Sequence, residues 1–220
     1  VQAALRRYDD KWWDGSDWTA QHAGEPEETD WLPTACVPGS CVLPWTKTAG
    51  LPTPAQLGAG AYALYSRAYD VAKNTQTVLA DPSLFTWDVT GPAVALTTPT
   101  AAGTGVYSAM PLIGGTAQDA NNVVRVEFRA KHPVQQYWTG GSDFAGGAET
   151  WHVSSGSILT GGLLDWATTN VPPWTESNNL WTVNARALDA AGNYSAVYTT
   201  AAFYFDVTAP VSVTTNVVEG

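Results

Sequence analysis

Hydrophobic and polar residues alternate along much of the chain with a period of two. In VVRVEFRA, Val124, Val126 and Phe128 alternate with Arg125, Glu127 and Arg129, the signature of a half-buried strand. WTVNARA sets Trp181, Val183, Ala185 and Ala187 inward and Thr182, Asn184 and Arg186 outward. VYTTAAFYF puts Val197, Thr199, Ala201, Phe203 and Phe205 on one face. Val1, Ala3 and Leu5 repeat the pattern, as do Tyr62, Leu64, Ser66 and Ala68. Clusters of Gly, Pro, Asn and Asp punctuate the runs, and no segment carries a helical period. The predicted class is all-β, and the 14 Pro and 20 Gly suit the loops and edges of a sandwich.

The pattern is written twice. RAYDVAKN from Arg67 returns as RALDAAGN from Arg186, and FTWDVTGP from Phe85 returns as FYFDVTAP from Phe203. WWDGSDW from Trp12 matches YWTGGSDF from Tyr137, and ETDW from Glu28 matches ETW from Glu149. The spacing is about 119 residues, which predicts two tandem units. Residues 1–91 form a unit lacking its first strand or strands, 92–209 a complete unit, and 210–220 the first strand of a following repeat or a donor strand for a neighbouring chain. In this alignment Val1 matches Val124. DAAGN and its counterpart read as hairpin punctuation, with Asp bonding the local backbone and Gly or Asn accepting positive φ. The Arg before each turn is placed on the outer face, where it could pair with the turn Asp at a contribution of about 0–1 kcal/mol.

VEFRA, YWTGGSDF, ETW, LWTVNARALDAAGNYS and FYFDVTAP together resemble the bacterial Ig-like repeats of very large secreted or cell-surface proteins. The motif set spans nearly all of both units. The resemblance implies two tandem Ig-like antiparallel β-sandwich domains and a non-catalytic structural or adhesive role in an extracellular stalk, adhesin or filament. Unit one departs from the pattern at Lys73, where unit two has Gly192, and at Gly91, where unit two has Ala209.

Composition narrows the partners. At 45% hydrophobic the chain can fill a core, and at 14% charged it falls well below the usual quarter, so its surface is built from Thr, Ser, Asn and Gly, as in many secreted β-proteins. A net charge of −10 disfavours nucleic acid and anionic membrane surfaces, and no apolar run approaches the length of a membrane-spanning helix. Val1 in place of Met reads as a processed product or a piece of something longer. Cys36 and Cys41 flank a Pro-Gly turn in CVPGSC; a structural disulfide in an oxidising compartment is the leading reading, ahead of free thiols and metal.

Four groups of residues carry candidate chemistry. Trp12, Trp13, Trp18, Tyr137 and Trp138 are candidates for stacking on a polysaccharide, against the plainer reading that recurring aromatics cap a core. Asp9, Asp10, Asp14, Asp17, Glu25, Glu27, Glu28 and Asp30 form either a solvated acidic face or loop ligands for calcium; otherwise no cofactor is expected. His22, His132 and His152 are scattered and accompany no nucleophile-elbow pattern, so no enzyme is expected. NYS at Asn193 fits a glycosylation sequon but lies in the repeated turn. Finally, Val211, Val213 and Val217 mark a strand that could insert into a neighbouring copy's unit one, head to tail. The competing reading is a piece cut from a longer polypeptide. The expected partners are adjacent repeats or identical chains in a fibre, with polysaccharide as the alternative.

Overall fold

The computed structural model describes residues 1–36, 44–144, 149–155 and 163–213. Two compact units divide the chain, Val1–Val89 and Thr90–Gly220.

Unit one is built on one sheet. Its strands are β1 (Gln2–Arg7), β2 (Lys11–Trp13), β3 (Trp18–Gln21), β4 (Leu32–Pro33), β5 (Gly60–Arg67) and β6 (Ser83–Trp87). They run in the order β3-β2-β1-β5-β6, with β4 also paired to β1. Ala4, Trp12, Trp31, Ala63 and Tyr65 cluster on one face, and Leu5, Trp13, Trp18 and Tyr62 on the other. Adjacent residues such as Trp12 and Trp13 therefore serve opposite faces. This corrects the expected inward set, because Ala4, Ala63 and Tyr65 are buried while Ser66 and Ala68 are exposed.

Unit two is a sandwich. Its strands are β7 (Ala93–Thr98), β8 (Thr104–Tyr107), β9 (Ile113–Gln118), β10 (Val123–Lys131), β11 (His152–Val153), β12 (Leu163–Thr168), β13 (Trp181–Asp189) and β14 (Thr199–Phe205). One sheet runs β11-β10-β13-β14-β8 and the other β12-β9-β7. Between them lie Phe128, Trp138, Trp181, Val183, Ala185, Ala187 and Phe203, all 0% exposed, with Ile113, Leu164 and Trp166 from the three-stranded sheet. Pairing is antiparallel except that β8 runs parallel to β14.

Two inward assignments in unit two are corrected. The register slips between Val123 and Arg125, and this bulge turns Val124 outward to 42% exposure while Val123 goes in; an extra residue in one strand inverts the alternation beyond it. Val197 is 80% exposed because β14 begins only at Thr199.

The strand registers also refine the repeat. Arg186 pairs with Glu127 and Arg67 with Gln2, so Val1 corresponds to Val126, two residues beyond the sequence alignment. With Tyr62 pairing Phe85 as Trp181 pairs Phe203, the units can be compared residue by residue. Phe203 is 0% exposed but its counterpart Phe85 is 40%. Among the described residues, unit one has no counterpart of the three-stranded sheet, so the far end of this face is uncovered.

Candidate functional site

The most organised polar constellation lies on the outer face of the five-stranded sheet of unit two. Period-two alternation sends Arg125, Glu127 and Arg129 of β10 and Asn184 and Arg186 of β13 to this side. Arg186 sits opposite Glu127, with Nε donating to Oε2 at 2.7 Å and Nη2 2.6 Å from it. Its guanidinium lies 4.2 Å from the ring centres of both Trp151 and Tyr194. Arg129 continues the stack, 4.8 Å from Trp151, 5.1 Å from Tyr137 and 5.4 Å from Tyr198. It donates to Asn184 Oδ1 at 3.0 Å and forms an ion pair with Glu149. Arg125 donates to the Tyr194 hydroxyl at 2.7 Å and pairs with Glu127 at 2.8 Å; the Tyr194 bond, then Glu127, raise its pKa further.

Unit one has a shorter version. Arg67 Nε donates to Gln2 Oε1 at 2.8 Å, its two terminal nitrogens bind Glu28 at 2.8 and 2.6 Å, and it lies 4.4 Å from the Trp31 ring centre. That bidentate pair holds the Glu28 carboxyl below the usual carboxylate range. The positions of Arg129 and Asn184 are taken by buried Ala4 and Tyr65. Both turn arginines thus pair across the sheet, and not with the turn aspartates that their sequence positions suggest. The aspartates are the reason: Asp70 and Asp189 are committed to their own turns.

In those turns the atoms repeat. Asn74 N and Nδ2 donate to Asp70 Oδ1 and Oδ2 at 2.8 and 2.7 Å. Asn193 N and Nδ2 donate to Asp189 Oδ1 and Oδ2 at 2.8 and 2.9 Å. Lys73 takes φ 67° where Gly192 takes φ 94°, so the Lys-for-Gly change leaves the left-handed turn intact at some strain cost. The Ser195 hydroxyl accepts from Ala187 N at 2.9 Å, and Gln76 Oε1 does the same for Ala68 N at 3.2 Å. The Asn193 amide, bound to Asp189, is engaged in turn geometry.

Four of the five candidate stacking residues are placed as the plainer reading has it. Trp12, Trp13, Trp18 and Trp138 are 1%, 2%, 9% and 0% exposed. Their indole N–H groups donate to the carbonyls of His22, Gly50, Gln56 and Gly141. These rings are laid under loops, so no face is open to a sugar. Tyr137 is partly buried, with one face on Arg129. In the ladder itself, rings and guanidinium groups cover one another, and this favours rigidity over stacking on a ligand.

Several of the candidate acidic residues are also engaged. Asp9 binds Arg7 Nε and Nη2 at 2.8 and 2.7 Å. Asp14 accepts from Ser16 N and Asp17 N, and Asp17 from Trp18 N. Asp30 lies 2.9 Å from His22 Nε2 and accepts from Glu27 N at 2.7 Å. His132 Nδ1 accepts from Val134 N and Gln135 N, and burial lowers its pKa. His152 Nε2 bonds to the Trp138 carbonyl at 3.0 Å. Cys36 is buried; its expected partner Cys41 lies outside the described residues. Val211 and Val213 are 89% and 82% exposed, and Val217 lies outside the described residues.

No family model matches the chain, and no curated protein matches it. Among solved structures, the fibronectin(III)-like modules of Clostridium thermocellum CbhA are similar at 12% identity and a TM-score of 0.38, over 98% of this chain and 83% of that one. No helix among the described residues is long and apolar enough to cross a membrane.

Proposed function

We propose that the chain is a non-catalytic structural repeat segment of an extracellular, cell-surface stalk, adhesin or filament of bacterial type. One observation carries this reading: the residues that recur between the units hold shape. The Asp70–Asn74 and Asp189–Asn193 turns use the same four atoms, and Arg67 and Arg186 take the same cross-strand place. A binding or reacting site would repeat side chains that point at a ligand, whereas these point at their own sheet. The sparse charge suits a surface outside the cell, and a Cys36–Cys41 bridge would suit it too. The glycan-binding alternative loses Trp12, Trp13, Trp18 and Trp138 to burial, and no observation favours it.

Strand complementation of unit one on the pattern of unit two takes more than a lone strand. β7 bonds to β9 and not to the five-stranded sheet, so a donated β7-like strand needs a β9-like partner beside it.

The test is single-molecule force extension beside a binding and turnover screen. Unit two should unfold in one cooperative event releasing about 35–40 nm of contour length. Saturable polysaccharide binding, or hydrolysis abolished by a point substitution, would defeat the reading.

A further inference from the structure

In unit two, the repeated turn does more than close a hairpin. Asn193 Nδ2 also donates to the Thr90 carbonyl at 3.4 Å. Gly91 presses so closely on the turn that a Cβ there would lie 1.9 Å from Tyr194 O. The entry segment, ending Thr90-Gly91-Pro92, is therefore seated on the Asp189–Asn193 turn. Unit one carries the same turn with the same internal bonds, yet all of Asp70–Gln76 is exposed, whereas Asp189 is 1% and Ser195 6% exposed. Beside it is a shallow open depression of about 370 Å³ bordered by Ala68, Tyr69, Asp70, Asn74 and Gln76.

The chain contains a second copy of the segment that fits such a turn. Asp206-Val207-Thr208-Ala209-Pro210 repeats Asp88-Val89-Thr90-Gly91-Pro92 and is exposed throughout. Its shape is already set, because Thr208 N donates to Asp206 Oδ1 at 2.8 Å and the Thr208 hydroxyl donates to the Glu176 carboxylate at 2.7 Å. Preorganisation of this kind lowers the ordering cost of docking.

We propose that the Asp206–Pro210 segment of one copy docks on the Asp70–Asn74 turn of a second copy, with Asn74 Nδ2 donating to the Thr208 carbonyl. The proposal rests on the scaffold reading above and names its junction. The two patches differ, so the contact is heterologous: each copy added leaves one turn and one exit segment unoccupied. Ala209 stands where Gly91 permits the closest approach, so its methyl group crowds the turn while the neighbouring Thr208 carbonyl stays within reach of Asn74, and the association is weak. Its methyl group is the lever for the test.

The measurement is sedimentation equilibrium of the full 220-residue chain over a concentration series, with thermal melts to confirm folding. The wild type is expected to rise above 23.3 kDa as concentration increases. Ala209→Gly should tighten the association about fivefold or more as overpacking is relieved. Asn74→Ala should weaken it about tenfold, as loss of one hydrogen bond allows. Ala209→Trp should remain monomeric. Mixing Asn74→Ala with Ala209→Trp should give mainly a one-to-one dimer, because only one junction keeps its full strength. Wild type and Ala209→Gly both staying at 23.3 kDa, or Ala209→Trp associating like the wild type, would overturn the proposal. Neither result touches the scaffold reading, which fails on ligand binding or turnover instead.

Discussion

Arg186 and Glu127 meet at 2.6 Å across β13 and β10, and in unit one Arg67 meets Gln2 at the same register. One sheet therefore uses a carboxylate and the other an amide for the same cross-strand support. Glu127 is only 6% exposed and also serves Arg125. Removing it leaves two guanidinium groups short of a partner, but these are 20% and 39% exposed, so water recovers part of the loss. Glu127→Ala should destabilise unit two by about 2 kcal/mol, between the buried and exposed limits for ion pairs. Glu127→Gln, which copies unit one, should cost about half as much. Urea denaturation followed by tryptophan fluorescence separates the two.

Arg7 holds Asp9 through two hydrogen bonds and lowers its carboxyl from 3.8 to about 2, the side-chain bond being the main cause. A carboxyl whose folded pKa is depressed adds stability that is complete above the unfolded value and vanishes as pH falls through the folded one. Unit one should therefore lose this contribution between pH 3.8 and about 2. A carbon-detected titration should place the Asp9 midpoint near the lower figure, and Asp9→Asn should flatten the acid limb of the unit-one stability curve. An Asp9 midpoint at the ordinary value would show that the pair does not form in solution.

Gly91 is fixed by proximity. Any side chain there meets Tyr194 O and C, at 1.9 and 2.5 Å from the Cβ, and backbone atoms cannot swing aside. Gly91→Ala should cost about 1–3 kcal/mol of unit-two stability, the range for overpacking. It should also raise amide exchange at Asn193 and Tyr194. Gly58→Ala meets nothing within 4 Å and is the control, expected to be neutral or slightly stabilising.

Much of this architecture is legible in the sequence because sheet burial follows alternation. Trp181, Val183, Ala185, Ala187, Ala201, Phe203 and Phe205 all face the core as their spacing predicts. Val124 does not, because a bulge is a local choice between two ladders that period two cannot reveal. The tryptophans leave two readings open in the sequence, cap or binding platform, for a different reason. Trp13 and Trp18 find their acceptors at Gly50 and Gln56, far along the chain in a stretch with no pattern of its own. The arginine ladder escapes a sequence reading although its signal is present: ETDW recurs as ETW, and RA recurs with it. Those two repeated fragments meet as Arg67 on Trp31 and Arg186 on Trp151. Joining them needs the strand order, which no periodicity supplies.

The two turns offer the sharpest comparison, since they share the same Asp–Asn bonds and differ in cover. Asp189 is 1% exposed, while Asp70 is exposed and its carboxyl is held below the usual range first by the Asn74 side chain. Replacing Asn74 by Ala removes donors that water replaces at once, so unit one should change by no more than about 0.5 kcal/mol, as at most surface sites. Replacing Asn193 by Ala strips the side-chain donor from a carboxylate that water cannot reach, and it also removes the bond to Thr90 O. Leaving a buried charged acceptor short of a partner costs about 2–3 kcal/mol. Asn193→Ala should therefore destabilise unit two several times more than Asn74→Ala destabilises unit one, and Asp189→Asn in the same background should recover part of the loss by neutralising the stranded charge. Equal effects at the two positions, measured by chemical denaturation, would mean that Asp189 is as well solvated as Asp70 and that the entry segment does not rest on the turn.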